Sequence, residues 1–265
     1  MNEMAEIPAV LCLSGLDPSG GAGLQADIEA LAAMGAHACP VATVLTVQDT
    51  RTVHRLTPLP AETVLEQAQA VLEDIPVAAV KIGLLGSAAL AEAVHGLLRR
   101  HPELPVVLDP VLAAGDGTPL VEAELVAALR CMLPQVTVLT PNAAEARRLV
   151  PESDGLDACA QALLAQGARF VLLTGADEPG ETVVNRLYGN QRCLERYTWS
   201  RLPHRYHGSG CTLAAAVAGL LAHGLEPYRA VAEAQEFTWQ ALRHATRPGR
   251  GQHLPNRFFW AQEEE

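Results

Sequence analysis

The chain has 265 residues, a formal charge of −11, and 49 % hydrophobic, 18 % charged and 4 % aromatic residues. This composition describes a globular chain with an aliphatic core, and the acidity argues against a nucleic-acid ligand, which calls for a basic patch. The start Met1-Asn2-Glu3-Met4-Ala5-Glu6 lacks a signal peptide's basic region, no apolar run reaches the length of a membrane span, and the scattered cysteines form neither a Cys-x-x-Cys pair nor a zinc spacing.

A cytoplasmic protein with reduced thiols, apart from membranes and nucleic acids, is therefore expected. Of the 19 basic side chains only Lys81 is a lysine, so no Gly-Lys-Ser/Thr phosphate loop exists. A phosphate must then be held by backbone N–H groups, arginines or metal.

In chain order, Ala9-Val10-Leu11-Cys12-Leu13 is a short apolar run ended by Ser14-Gly15 and Asp17-Pro18, the pattern of a buried strand. Ser19-Gly20-Gly21-Ala22-Gly23 then feeds a helix with apolar residues at helical spacing over 24–31, closed by Gly35. The turn lacks the glycine spacing of a dinucleotide fold. Residues 39–47 read as a second buried strand, stopping at Gln48-Asp49-Thr50. A polar cluster after a buried strand is where α/β proteins bind ligands. The Gln48 amide suits the edge of a heteroaromatic ring, and equally the capping of a loop.

A helix over 61–74 precedes a buried strand over 77–84 that carries Lys81, and a helix over 88–100 follows. Val107-Leu108-Asp109-Pro110 ends the next strand; Pro110 stops the pairing and leaves Asp109 at the rim, open to Mg²⁺ or water. The loop 113–118 is small and expected to be mobile. A helix over 122–133 leads to a strand over 136–140 that ends in Pro141-Asn142, with Glu145 three residues on. Asn142 and Glu145 either form a helix capping box or hold a hydrated Mg²⁺. A helix over 157–167, a strand over 169–175, a hairpin around Gly189-Asn190 and a last helix over 227–245 complete the pattern, and the tail Glu263-Glu264-Glu265 reads as solvated. Alternating strands and helices predict one α/β domain over 1–265: a doubly wound, mainly parallel sheet with helices on both faces and a late β-hairpin at one edge.

The stretch His207-Gly208-Ser209-Gly210-Cys211-Thr212 opens an Ala/Leu-rich run without a helix breaker until Gly224. Such a Gly-rich turn exposes the unpartnered N–H groups and positive dipole end of a helix, a ready anion site. The same field is expected to favour the Cys211 thiolate. By itself the stretch equally suits a tight turn followed by a small apolar cysteine. Gln48, Asp109, Asn142 and this turn all follow strands, so convergence on one rim, and phosphoryl transfer there, is the expectation.

Together these segments resemble the hydroxymethylpyrimidine/phosphomethylpyrimidine kinases of thiamine biosynthesis, in the ribokinase-like superfamily. The resemblance is carried by Gly15-Leu16-Asp17-Pro18-Ser19-Gly20-Gly21-Ala22-Gly23 with Gln25-Ala26-Asp27, by Gln48-Asp49-Thr50 and by Lys81-Ile82-Gly83. Further on it rests on Val107-Leu108-Asp109-Pro110-Val111, Thr140-Pro141-Asn142 with Glu145-Ala146, and His207 to Leu213.

It implies ATP-dependent phosphorylation of 4-amino-5-hydroxymethyl-2-methylpyrimidine and then of its monophosphate, with Mg²⁺, in a cytoplasmic homodimer. The N–H groups of Gly208, Ser209, Gly210 and Cys211 would hold the transferring phosphate, with Cys211 as base. Gln48, Asp17 and the backbone around Gly15, Ala22 and Thr46 would hold the pyrimidine, with Leu84 and Val111 packed on it. Asp109, Asn142, Glu145 and Thr174 would serve ATP and Mg²⁺, with Glu145 and Asp109 nearest the metal.

Three departures stand out: Leu84 replaces a common Met, the loop after Ala113 lacks a lysine frequent in the family, and Thr174-Gly175 replaces Lys-Gly-Gly. The rival readings are a pyridoxal kinase of the same fold, a non-catalytic pyrimidine-binding protein, and a cysteine hydrolase pairing Cys211 with His204 or His207.

Overall fold

The computed structural model describes residues 7–113 and 120–261. The loop expected over 113–118 thus lies, from Ala114 on, outside the described residues, as does the acidic tail. Strand β1 (Ala9–Leu16) is buried at every position but the last. It shows no polar alternation because both faces of the sheet are covered. The nine strands run in the order β3-β2-β1-β4-β5-β6-β7-β8-β9. The central six are parallel: β2 (His37–Gln48), β1, β4 (Val77–Ile82), β5 (Val106–Leu108), β6 (Val138–Leu139) and β7 (Phe170–Leu173).

The late hairpin, β8 (Thr182–Gly189) and β9 (Arg192–Ser200), closes one edge antiparallel. Its two-residue turn places Asn190 and Gln191 at φ 50° and 57°, the primed geometry that suits strand twist. The other edge carries β3 (Val53–Pro58), antiparallel to β2, which sequence reading does not anticipate. β3 is mostly exposed, with His54, Arg55 and Pro58, so it lacks the apolar run or clean alternation that marks a strand. Its partner is also a correction: the outer half of β2 is not buried, since Leu45 and Val47 are 41 % and 44 % exposed.

Helices α1 (Gly23–Ala33), α7 (Ser209–Ala222) and α8 (Pro227–Arg243) cover one face. The other is covered by α2 (Ala61–Asp74), α3 (Ala88–Leu98), α4 (Ala123–Met132), α5 (Ala143–Leu149) and α6 (Leu156–Ala165). Helix α7 is buried without a break from Thr212 to Gly219. Its small residues allow that: a Cβ on Gly219 would lie 3.1 Å from both Leu31 and Met34. Among the described residues no helix is long and apolar enough to cross a membrane. The strand order reverses between β1 and β4, so the chain departs to opposite faces there and leaves a crevice at the carboxyl ends, where such sheets bind ligands.

One charged pair lies inside this core. Helix α1 sets Asp27 on its buried face beside Leu24, Ala30 and Leu31. There Lys81 of β4 meets Asp27 Oδ1 at 2.7 Å, both side chains fully buried, and Lys81 also donates to Ser14 Oγ at 3.0 Å. Burial by itself lowers the Lys81 pKa, but Asp27, Cys211 and Asp109 outweigh it and hold it above its ordinary value. Asp27 Oδ2 has no hydrogen-bond partner among the described residues, so the Lys81 charge is its compensation.

Asp27→Asn is expected to strand that charge and cost about 3–5 kcal/mol of stability in urea unfolding. The double variant Asp27→Asn/Lys81→Met should recover most of the loss. A cost below about 1 kcal/mol, the range of exposed pairs, would contradict the desolvated pair described.

Candidate active site

Residues expected at the site follow the carboxyl ends of successive parallel strands: Gln48 ends β2, Gly15 and Asp17 end and follow β1, and Leu84 follows β4. Asp109 and Val111 follow β5, Asn142 follows β6 and Thr174 follows β7. Helix α7 points its first turn at the same rim. A cleft lined by Arg99, His101, Gln135 and Arg169 opens at the amino ends of β5 to β7, the opposite rim.

The start of α7 is bare. Gly208, its N-cap at φ 85°, offers no side-chain cap, and the first turn carries no acidic residue. The first-turn N–H groups thus face the rim without the partner that a Ser or Asp cap supplies. A Cβ on Gly208 would lie 1.8 Å from the Gly21 oxygen, so the two Gly-rich turns touch backbone to backbone. Likewise a Cβ on Gly23 would lie 2.1 Å from the Gly15 oxygen.

Cys211 is half-buried, with its sulfur against the Gly23 N–H and the Asp109 carboxylate. The expected thiolate is not what this surrounding favours. Burial, Asp109 and Asp27 push the thiol up to about 12, against the opposing pull of Lys81 and the Gly23 N–H. A helix end contributes about half a charge, too little against two nearby carboxylates and desolvation. Cys211 is therefore a neutral thiol at pH 7. The group poised near neutrality is Asp109, 4 % exposed, with both carboxylate oxygens 3.7 Å from where a Gly210 Cβ would stand. Burial raises its pKa to about 6, helped by Asp27 and opposed by Lys81 and the Cys211 hydrogen bond.

Asn142 and Glu145 form the complete capping box of α5: Asn142 Oδ1 accepts from the Glu145 N–H at 2.8 Å, and Glu145 Oε2 accepts from the Asn142 N–H at 2.9 Å. Burial and the Asp109 charge hold the Glu145 carboxyl well above its ordinary range, although N–H groups of Asn142 and Leu112 bond to it. Thr174 pairs beside Asn142, its N–H donating to the Pro141 carbonyl at 2.9 Å.

On the other side, the Asp17 carboxylate is fully engaged. It accepts from Ser19 N–H at 2.8 Å, Ser19 Oγ at 2.9 Å and Ala22 N–H at 3.0 Å, and meets His207 Nε2 at 2.8 Å. Burial alone would raise this carboxyl; His207 and Ser19 outweigh it and lower it. Asp17 thus organises the first Gly-rich turn. His207 Nε2 also lies 2.8 Å from the Gln48 amide. The same ring nitrogen thus meets both Asp17 Oδ2 and Gln48 Nε2 and ties the end of β2 to the first Gly-rich turn. Thr46 Oγ1 donates to the Leu16 carbonyl at 3.0 Å, and Leu84 packs against Gly15. Val111 N–H donates to the Asp109 carbonyl at 2.9 Å.

Sequence reading missed the His207–Asp17 and Lys81–Asp27 links, which join residues far apart in the chain. The available signal for the second was an aspartate on the apolar stripe of α1 together with a sole lysine inside a buried strand.

With this geometry in hand, comparison with known proteins is specific. The sequence pattern of the family described as phosphomethylpyrimidine kinase matches residues 17–256. The hydroxymethylpyrimidine/phosphomethylpyrimidine kinase of Mycobacterium tuberculosis is 38 % identical over 252 residues, covering 92 % of this chain and 91 % of that protein. Among solved structures, the phosphomethylpyrimidine kinase of Clostridium difficile is 30 % identical at a TM-score of 0.77, covering 89 % of this chain and 100 % of its own. The pyridoxal kinase of Bacillus subtilis, solved as an ADP complex, is 29 % identical at a TM-score of 0.86, covering 95 % and 98 %. A pattern matched along nearly the whole chain, on a ribokinase-like sheet with a bare glycine-lined helix start at its rim, makes this chain a phosphotransferase that belongs to the phosphomethylpyrimidine kinase family.

Proposed function

We propose that this chain, one kinase domain over residues 1–265, transfers the γ-phosphoryl group of ATP to the hydroxymethyl oxygen of 4-amino-5-hydroxymethyl-2-methylpyrimidine. It then phosphorylates the resulting monophosphate, for thiamine biosynthesis in the cytoplasm. The observation that carries this reading is the Cys211–Asp109 contact at the mouth of the uncapped start of α7. Phosphoryl transfer needs positioning and charge stabilisation more than covalent chemistry, and a preorganised row of N–H groups supplies both.

In this reading the N–H groups from Gly208 to Cys211 hold the equatorial oxygens of the transferring group. The substrate hydroxyl gives its proton to the Cys211 sulfur as that thiol gives its own proton to Asp109, so Asp109 ends protonated and no thiolate has to persist. The Gln48 amide reads the edge of the pyrimidine, with Leu84, Val111 and the backbone at Gly15, Ala22 and Thr46 around the ring.

Mg²⁺ bound with ATP supplies charge neutralisation on the phosphates. Glu145, with Asn142 and Thr174 alongside and Asp109 acting indirectly, would fit that role, because Glu145 is a buried carboxyl raised by desolvation and by the Asp109 charge, and a nearby divalent cation would relieve both.

The pyridoxal reading has one observation in its favour: the Bacillus pyridoxal kinase superposes at 0.86, above the Clostridium pyrimidine kinase at 0.77. The higher sequence identity to pyrimidine kinases weighs the other way. ATP consumption with the pyrimidine and with pyridoxal in parallel decides. Turnover of the pyrimidine at the higher kcat/KM is expected, and a clear preference for pyridoxal would overturn the substrate assignment.

Cys211→Ala should lower turnover by about 10²–10⁴-fold with the fold intact, the usual range for a general-base step. A loss under about threefold would remove the relay. For wild type, kcat/KM should rise with pH through about 6 as Asp109 ionises, and Asp109→Asn should abolish that limb.

The homodimer belongs to the proposal as well. Leu16 and Leu45 are register partners, and with Val47 they leave apolar surface exposed at 43 %, 41 % and 44 %. Sedimentation should give twice the chain mass for wild type and a shift to monomer in Val47→Lys; a monomeric wild type ends this part of the reading.

A further inference from the structure

A helix start kept open for an anion cannot use the side-chain cap that normally fixes it, and α7 uses none. What holds it lies behind the turn. Thr212 Oγ1 donates to the Gly208 carbonyl at 2.7 Å, and the same hydroxyl oxygen accepts from Arg257 Nε at 2.9 Å. Arg257 Nη2 donates to the Gly21 carbonyl at 2.5 Å, the oxygen against which Gly208 packs. Arg257 Nη1 meets Glu29 Oε2 of α1 at 2.8 Å. Arg257 is 2 % exposed and lies one residue beyond the segment matched by the family pattern. It is brought there by the 253–257 segment, whose His253 carbonyl accepts from His207 N–H at 2.9 Å and whose Leu254 packs on Gly21.

Resting on the kinase reading above, we propose that Arg257 is a positioning residue for phosphoryl transfer. Through Thr212 and Gly21 it clamps the Cys211 turn to the first Gly-rich turn from behind, and so leaves the N–H groups of α7 free for phosphate. Only arginine suits the place. Its planar fork sends donors to three partners at once, on α7, on the first Gly-rich turn and on α1, whereas a lysine nitrogen is a single point. The clamp also bears on Cys211 directly: Gly23, whose N–H meets the Cys211 sulfur, follows Gly21 by two residues.

The test compares Arg257→Met and Arg257→Lys with Glu29→Ala, which removes the ion pair but leaves the bonds to Thr212 and Gly21. The measurements are kcat and KM for the pyrimidine at saturating ATP and Mg²⁺, thermal unfolding, and amide hydrogen exchange over residues 207–213. Arg257→Met should lower kcat by about 10²-fold, the scale of a misplacement of about 1 Å. KM should stay within about threefold and exchange in the α7 turn should quicken. Arg257→Lys should recover only part of kcat. Glu29→Ala should lower the unfolding temperature while kcat stays within about twofold.

If Arg257→Met does not fold, Thr212→Val removes the hydroxyl link alone and should show the same fall in kcat. An unchanged kcat in a folded Arg257→Met or Thr212→Val overturns the clamp. So does a fall in kcat for Glu29→Ala that tracks its lost stability as in Arg257→Met, since the role would then be structural only. A wild type inactive on both pyrimidine and pyridoxal would refute the kinase reading instead; unquickened exchange in Arg257→Met would still refute the clamp by itself.

Discussion

The site turns on the contact between Gly208 and the Gly21 carbonyl, where no Cβ fits. Two chain segments almost two hundred residues apart meet there without side chains between them. One is the turn after β1, wound around the Asp17 carboxylate; the other is the start of α7. Because backbone meets backbone, the N–H groups of α7 and the pocket around Gly15, Ala22 and Gln48 share one frame. A shift of either turn displaces both. Arg257 and the His207–Asp17 pair brace this contact from two sides, one from behind the helix and one from the rim.

Beneath that contact lies a small group of buried charges: Lys81, Asp27 and Asp109, with Cys211 above them. Their sum explains why the thiol stays protonated despite its place at a helix start. Lys81 offsets Asp27, so the remaining carboxylate, Asp109, sets the local field and itself becomes the group poised near neutrality. Proton transfer through a neutral thiol to a carboxylate suits such an interior better than a persistent thiolate beside two acids. The same economy appears at Glu145, which accepts the Asn142 N–H in the capping box of α5 and whose carboxyl burial and Asp109 hold above its ordinary range, towards the neutral form.

Of the three expected departures from the family's pattern, Leu84 lies against Gly15 on the pyrimidine side and Thr174 lies beside Asn142. Thr174 stands beside Asn142 with its backbone bonded to Pro141. Gln48, the proposed polar reader of the pyrimidine, is held against His207. In the proposed reading phosphate recognition leans on backbone N–H groups, one of the routes that the single lysine of the sequence leaves open.

Sequence alone determined the alternation of strands and helices, the parallel centre of the sheet, the late hairpin and the Gly-rich helix starts. Those features follow from local periodicity and turn chemistry, which neighbouring residues carry between them. The capping box of Asn142 and Glu145 was legible for the same reason, as a contact between residues three apart. The exposed strand β3 was not, because an edge strand facing water needs no apolar pattern. Nor were the protonation state of Cys211, the occupation of Asp17 by His207 and the clamp at Arg257. Each depends on charges and donors contributed by distant segments, and a pKa or a hydrogen bond is set by what lies within a few ångströms in space. Only the assembled sheet, with α1, α7 and the 253–257 segment packed at its rim, decides that.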